Sequence, residues 1–120
     1  MAKIVLIGLE QATAGQIYRA LASGSHRIEN QDRDVVLREL RDADIVFAGG
    51  EPACYMPLLK RVREVRPTLP FVVVTRIPDT SEWLDALEAG ATDYCASPID
   101  TRQLRWLMET ALPKPSFAAA

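Results

Sequence analysis

The chain has few residues that could hold a metal or build a disulfide framework. Among its 120 residues are two cysteines, Cys54 and Cys95, and a single histidine, His26. The histidine has no cysteine or carboxylate at ligand spacing, which argues against a metal site. Two thiols in so short a chain are more typical of free cysteines in a reducing compartment than of a structural bridge. We therefore expect a cytoplasmic protein with no metal and no cofactor.

Long apolar runs and an excess of one charge are also missing. No segment reaches the roughly 18 apolar residues of a membrane span. The chain carries 14 basic and 16 acidic residues, for a net charge of -2, which gives no bulk attraction for nucleic acid or membrane. One basic run occurs, at Lys60, Arg61, Arg63 and Arg66. A solvated helix face is favoured for it over a nucleic-acid site, because neither a helix-turn-helix nor interleaved aromatics accompany it.

Nucleotide-binding loops are absent as well. The segment after the first apolar run, GLEQATAG (8–15), has neither the paired early glycines of a dinucleotide fingerprint nor the Gly-Lys-Ser/Thr ending of a P-loop. The sequence therefore offers no positive support for an enzyme that uses a nucleotide cofactor.

Short apolar runs predict five strands. Three of them, 3–7, 44–48 and 71–75, lack strict alternation, which is typical of strands covered on both faces in a parallel sheet. Two weaker runs, at 26–30 and 92–96, complete the set.

A helical pattern follows each predicted strand. Apolar residues recur at helical spacing in five segments, at Ile17, Ala20 and Leu21; Val35, Val36 and Leu40; Leu58, Leu59 and Val62; Trp83, Leu84 and Leu87; and Leu104, Leu107 and Met108. Asp100 or Thr101 is the expected N-cap of the last helix. Five strands alternating with five helices predict a doubly wound α/β domain with a flavodoxin-like parallel sheet. We expect the domain to occupy residues 1–112, followed by a tail or linker at 113–120.

Two longer stretches resemble the receiver domains of two-component response regulators. RPTLPFVVVT (66–75) matches the entry into the family's fourth strand, and ALEAGATDYCASP (86–98) matches the approach to its fifth. The resemblance covers essentially the whole chain. It implies the CheY-like strand order 2-1-3-4-5 and a signalling role, not an enzymatic one.

The family's phosphorylation site is not matched. The resemblance places Gly8 and Leu9 at the acidic pair that holds Mg²⁺, with only the neighbouring Glu10 acidic, and Gly49 at the phosphoacceptor aspartate. Ser97 stands at the lysine position, where it offers no charge to a phosphoryl group. The loop after the glycine also looks about two residues shorter than the family pattern. The chain is therefore interpreted as a degenerate receiver, or pseudo-receiver.

Three residues of this region still carry a functional hypothesis. Thr75 and Tyr94 match the family's switch pair, although simple packing and hydrogen bonding are favoured for them without a phosphoryl trigger. Glu51 follows the empty phosphoacceptor position, where its carboxylate is one candidate stand-in for phosphate. A solvated loop glutamate is the favoured interpretation.

Two tryptophans are candidates for an interface. Trp83 lies in the fourth predicted helix, where core and interface are equally favoured, and Trp106 lies in the fifth, where partial exposure is favoured. The resemblance implies a homodimer or partner surface formed by these two helices and the fifth strand.

Two functions therefore compete. The first is a non-enzymatic signalling module that regulates a protein partner or an attached output domain by contacts alone, either as a stand-alone adaptor or as part of a longer protein. The second is a small-ligand sensor that uses the vacated pocket at Gly8, Leu9, Gly49 and Thr75. Ligand-induced thermal stabilisation separates the two.

Overall fold

Five parallel strands form one sheet in the order β2-β1-β3-β4-β5. The computed structural model describes residues 2–21, 24, 26–32, 34 and 37–111. The strands are β1 (Ala2–Ile7), β2 (His26–Gln31), β3 (Ile45–Gly49), β4 (Phe71–Thr75) and β5 (Asp93–Ala96). Each lies within one residue of the run that predicted it, and the predicted strand order is confirmed.

The described residues contain four α-helices, not the five that were predicted. They are α1 (Gln11–Leu21), α2 (Pro52–Val65), α3 (Thr80–Glu88) and α4 (Thr101–Ala111). The expected helix between β2 and β3 is wrong, because the described part of that connection forms a short 3₁₀ turn at Leu37–Leu40. Val35 and Val36, two of its predicted apolar positions, lie outside the described residues, as does the predicted tail at 113–120.

The hydrogen bonds of this connection follow the 3₁₀ pattern. The backbone N–H of Arg41 donates to the carbonyl of Arg38, and that of Ala43 donates to Leu40, both at 3.2 Å over the short 3₁₀ spacing. The carbonyls of Leu40 and Ala43 also accept hydrogen bonds from Nη1 of Arg66, at 2.8 and 2.7 Å. An arginine beyond the end of α2 thus supplies donors to two carbonyls at the end of this connection.

Helices cover both faces of the sheet. Ile4 and Leu6 belong to the core layer under α1 and α4, whereas Val5 and Ile7 belong to the layer under α2 and α3. Successive strand residues point to opposite faces, so a strand that is covered on both sides reads as a continuous apolar run. Within the described ranges, no helix is long and apolar enough to cross a membrane.

Two helix ends follow their sequence signals. Asp100 is the N-cap of α4, because its Oδ1 accepts the N–H of Arg102 at 2.7 Å. Gly90 ends α3 with φ of 108°, a value that favours glycine. The N–H of Ala91 then donates to the carbonyl of Ala86 at 2.9 Å, which satisfies one of the last helical carbonyls.

We predict that Arg66→Ala lowers the free energy of unfolding by about 1–3 kcal/mol, because the carbonyl of Ala43 loses its side-chain donor and that of Leu40 keeps only the N–H of Ala43. Arg61→Ala is the matched control, since Arg61 is an exposed arginine within α2, and we expect its effect to stay within about 0.5 kcal/mol. Urea denaturation of both variants measures the difference. Equal losses would show that the guanidinium does not anchor this connection.

Candidate functional site

A pocket of about 640 Å³ opens at the carboxyl ends of β1, β3, β4 and β5. This is the edge at which doubly wound sheets hold their ligands. Seven of the residues singled out from the sequence line it, and they are Gly8, Leu9, Glu10, Gly49, Glu51, Thr75 and Ser97. The fold therefore brings together side chains that come from four separate connections.

Gly49 lies at the floor of this pocket and has no space for a side chain. It is buried at the end of β3. A Cβ built on it would lie 2.9 Å from the carbonyl oxygen of Gly8 and 2.9 Å from Cδ2 of Leu9. Because one of these neighbours is backbone, the β1–α1 loop would have to move to admit any side chain. The sequence predicted the missing carboxylate but not that leucine fills the adjoining space.

The acidic residue nearest the family's metal position is Glu10, and its partner is an arginine. Its Oε1 lies 3.3 Å from Nε of Arg76, and the two side chains are 54% and 75% exposed. An ion pair this exposed adds little stability. The ion pair instead changes the charge of the pocket lining, because the guanidinium of Arg76 offsets the carboxylate of Glu10.

The residues present do not fit the Mg²⁺ ion that the receiver resemblance implies. Magnesium requires several oxygen ligands in a nearly octahedral arrangement. Neither Gly8 nor Leu9 offers a carboxylate, and Glu10 is held by Arg76. In the part of the chain that the structure describes, no cluster of three or more histidine, cysteine or acidic side chains is placed to hold a metal ion.

Tyr94 connects β5 to the start of α3. Its ring is 8% exposed, and its hydroxyl accepts the backbone N–H of Asp79 at 3.2 Å. Oδ1 of Asp79 in turn accepts the N–H of Glu82 at 2.9 Å and caps α3. Packing and hydrogen bonding, the interpretation favoured from the sequence, describe this side chain.

Thr75 and Glu51 line the pocket without bonding to each other. Thr75 is half-buried at the end of β4, and its hydroxyl makes no hydrogen bond within the described residues. Glu51 is exposed at the N-cap position of α2, and its side chain accepts no capping hydrogen bond. A direct glutamate–threonine contact that imitates phosphate is therefore not present.

Several pocket residues were not identified from the sequence. Arg76, Asp79 and Glu82 follow β4, and Thr13 enters from α1. Arg76 stands directly after a strand end, which was an available signal. Thr13 and Glu82 lie inside helices, and only the packing of those helices against the sheet places them at the pocket.

The two cysteines are free and differ in environment. Cys95 is buried in β5, and burial raises the pKa of its thiol to about 12, with the nearby Asp93 contributing. Cys54 is exposed and lies in the first turn of α2. Thiolate chemistry at Cys95 is therefore suppressed near neutral pH.

Both tryptophans are exposed. On α3, only Ala86 is buried, while Trp83, Leu84 and Leu87 are 41%, 52% and 36% exposed. Trp106 on α4 is 57% exposed. Since α3 and α4 cover opposite faces of the sheet, the two tryptophans lie on different sides of it. The apolar side chains at helical spacing in α3 thus form a surface, not a core.

Two residues of the basic run at 60–66 bond to backbone carbonyls, and two remain exposed. Nε of Arg63 donates to the carbonyl of Gly90 at 2.8 Å, and Arg66 bonds the connection before β3. Lys60 and Arg61 remain on the exposed face of the helix. The run does not form one continuous basic surface.

Comparison with known proteins gives sequence relatives and structural neighbours. No protein-family model matches the chain. It is 33% identical over 97 residues to the transcriptional regulatory protein ZraR of Salmonella typhimurium, an alignment that covers 78% of this chain and 20% of the regulator. The chain thus spans about a fifth of the length of this curated relative.

Solved structures share the fold. A two-component response regulator from Clostridium difficile superposes with a TM-score of 0.79 at 21% identity, over 92% of this chain and 95% of that one. The Vibrio cholerae chemotaxis protein CheY4 gives 0.78 at 17% identity, over 93% and 99%. Domains of this kind are signalling modules and not enzymes. With its five-stranded parallel sheet, its strand order and these relatives, the chain belongs among the CheY-like receiver domains of response regulators.

Proposed function

We propose that this chain is a degenerate receiver that signals without aspartyl phosphorylation. The observation that carries the proposal is Gly49, which ends β3 with a Cβ position 2.9 Å from both the carbonyl of Gly8 and a methyl of Leu9. A phosphoacceptor carboxylate needs both a side chain at this strand end and open space around it. The glycine supplies neither.

The proposed output is contact with a protein. Trp83, Leu84 and Leu87 present an apolar surface on α3, where only Ala86 is buried. Exposed apolar patches of this kind commonly mark interaction sites. The partner is a separate protein, a second copy of the chain, or an output domain joined through residues 113–120 to a receiver unit at 1–112. The length of the transcriptional regulator ZraR beyond the matched part supports an attached domain.

The pocket and the exposed apolar surface both include residues at the start of α3. Asp79 and Glu82 line the pocket, and Tyr94 holds the backbone of Asp79 from the side of β5. We infer that a change at the pocket reaches the partner surface through a shift of α3, with Tyr94 and Thr75 as the residues whose positions respond. We assign the module to the cytoplasm on the strength of its two unpaired cysteines.

A small-ligand sensor is the second candidate. The pocket of about 640 Å³ supports it, because small-molecule sites commonly enclose roughly 300–1,000 Å³. A ligand present in excess over its dissociation constant raises the melting temperature, whereas a module that only binds proteins does not respond to small molecules.

We predict no phosphorylation when the protein is incubated with acetyl phosphate and Mg²⁺ and analysed by intact-mass spectrometry. The strand end lacks a nucleophile, and the described residues fit no metal ion. A receiver domain that keeps its aspartate is the positive control for the phosphodonor. Addition of one phosphoryl group to this chain would overturn the proposal, and peptide mapping would identify the acceptor.

We predict that Gly49→Ala lowers the free energy of unfolding by about 1–3 kcal/mol, the usual cost of forcing a methyl into a filled site. Gly15→Ala is the matched control, because its Cβ in α1 would meet only the mobile guanidinium of Arg19, at 3.2 Å. Alanine is the better helix former there, so this control should be neutral or stabilising. Thermal and urea denaturation compare the pair. If Gly49→Ala left the free energy of unfolding unchanged, the β1–α1 loop would be shown to accommodate a methyl group without cost.

We predict that Leu84→Lys weakens self-association of the chain in sedimentation-velocity experiments over a concentration series, because a charge enters the apolar surface of α3. Val65→Lys is the control, since Val65 is 56% exposed at the end of α2 and outside that surface. Unfolding free energies should change little for either variant. A wild-type chain that stays monomeric at every concentration would exclude the homodimer and leave a different partner for α3.

A further inference from the structure

We propose that Arg63 fixes the carboxyl end of α3 as a pivot, so that the helix moves at its amino end. The inference rests on the proposed route from the pocket to the exposed apolar surface, and it names the positioning residue that gives this movement its direction. It concerns the chain by itself, so its test is independent of phosphorylation and of any partner.

The carboxyl end of α3 is joined to both α2 and the sheet. Nε of Arg63 donates to the carbonyl of Gly90 at 2.8 Å. Two residues later, the N–H of Thr92 donates to the carbonyl of Phe71 at 2.8 Å, and the hydroxyl of Thr92 accepts the N–H of Phe71 at 3.0 Å. Since Phe71 is wholly buried at the start of β4, this end of the helix is anchored.

The guanidinium that makes the first of these bonds is itself held in place. The adjacent Val62 is 1% exposed and packs α2 against the core. Nη1 of Arg63 also donates to the carbonyl of Arg66 at 3.0 Å. The stem of Arg63 lies across Gly90, because a Cβ built on that glycine would be 3.0 Å from Nε and 3.1 Å from Cδ and Cγ. The arginine therefore contacts the end of α3 through its stem as well as its hydrogen bond.

The amino end of α3 has far fewer attachments. Residues 76–81 are all exposed. Among the described residues, one hydrogen bond reaches this stretch from outside α3 and its preceding connection, the 3.2 Å bond from the N–H of Asp79 to the hydroxyl of Tyr94. The ion pair of Arg76 with Glu10 is more than half exposed on both sides and adds little stability. Segments with so few buried contacts open first.

Other walls of the pocket are fixed more firmly than the β4–α3 connection. The side-chain amide of Gln16 bonds both the N–H and the carbonyl of Ile99, and so ties the β5–α4 connection to α1. The N–H of Ser97 donates to the carbonyl of Thr75 at 2.8 Å, and the β1–α1 loop packs against Gly49. A movement of the β4–α3 connection therefore changes the pocket and the position of the apolar surface together.

Amide hydrogen exchange of the full chain, followed residue by residue by NMR, tests the proposal. Three hydrogen-bonded amides report on the two ends of α3, with Trp83 bonded to Asp79 at the amino end and Ala89 and Ala91 at the carboxyl end. In the wild-type chain we expect the protection factor of Trp83 to be about tenfold lower than those of Ala89 and Ala91, because the amino end opens without the rest.

Two variants test the direction of opening. Arg63→Ala should lower the protection factors of Ala89 and Ala91 about tenfold, since a hydrogen bond from a charged donor is lost. It should leave Trp83 unchanged, because the amino end opens while the arginine is still bound. Tyr94→Phe should lower all three about fivefold, the size of one neutral hydrogen bond, because that bond is broken in every open form. An arginine that only stabilised the helix as a whole would change all three amides.

Matched controls are Arg61→Ala and Tyr18→Phe. Arg61 is an exposed arginine within α2, and the hydroxyl of Tyr18 bonds Asn30 of β2 at 3.0 Å, at the other edge of the sheet. We expect neither control to change the protection factors within α3.

Two results would overturn the proposal. They are equal protection of the two ends in the wild-type chain, and a loss of protection at Trp83 in Arg63→Ala as large as that at Ala89. The amide spectrum of each variant verifies that it folds, and Arg63→Gln replaces an alanine variant that does not. Failure here leaves the phosphorylation and self-association results unaffected, so the wider function is judged on its own measurements.

Discussion

The close approach of the β1–α1 loop to the end of β3 is the contact on which the rest of the site depends. The carbonyl of Gly8 and the side chain of Leu9 occupy the space next to Gly49, and Leu9 also packs against the apolar layer under α1 and α4. Interiors at this density do not yield to an added methyl without a shift of backbone. The strand end that serves as the reactive position in related domains is thus part of the packed core.

Closing that position changes the character of the pocket without removing it. The lining combines glycine and leucine with the hydroxyls of Thr75 and Ser97 and with carboxylates from the β4–α3 connection. Ser97 carries no charge, and the guanidinium of Arg76 is paired with the carboxylate of Glu10.

The pocket and the exposed apolar surface meet on one short helix, α3. The first turn of α3 supplies pocket carboxylates, and its outer side carries Trp83 and Leu84. The capping bond from Glu82 to Asp79 and the bond from Asp79 to Tyr94 hold that turn in place. With only Ala86 buried beneath it, α3 has few apolar contacts to the sheet, and few such contacts are the usual basis of local mobility. Coupling between ligand and partner then requires only that both favour the same position of α3.

The sequence by itself determined the strands and their parallel sheet, and it shows a glycine at the end of β3. Runs such as Phe71–Thr75 read as strands covered on both faces, and Gly49 is visible without any structure. A resemblance supplied the strand order. These features are local, because each depends on residue identity or on the periodicity within one element.

Tertiary structure alone decided three other features. The described part of the predicted second helix is a 3₁₀ turn, and Arg66, distant in sequence, donates to the carbonyls of Leu40 and Ala43 at its end. The apolar positions of α3 face solvent, since helical periodicity shows that a helix has an apolar side but not what covers it. Arg76 and Glu82 joined the pocket because the register of neighbouring strands brings separate loops to one edge. All three features depend on packing between elements, which no single segment of the sequence encodes.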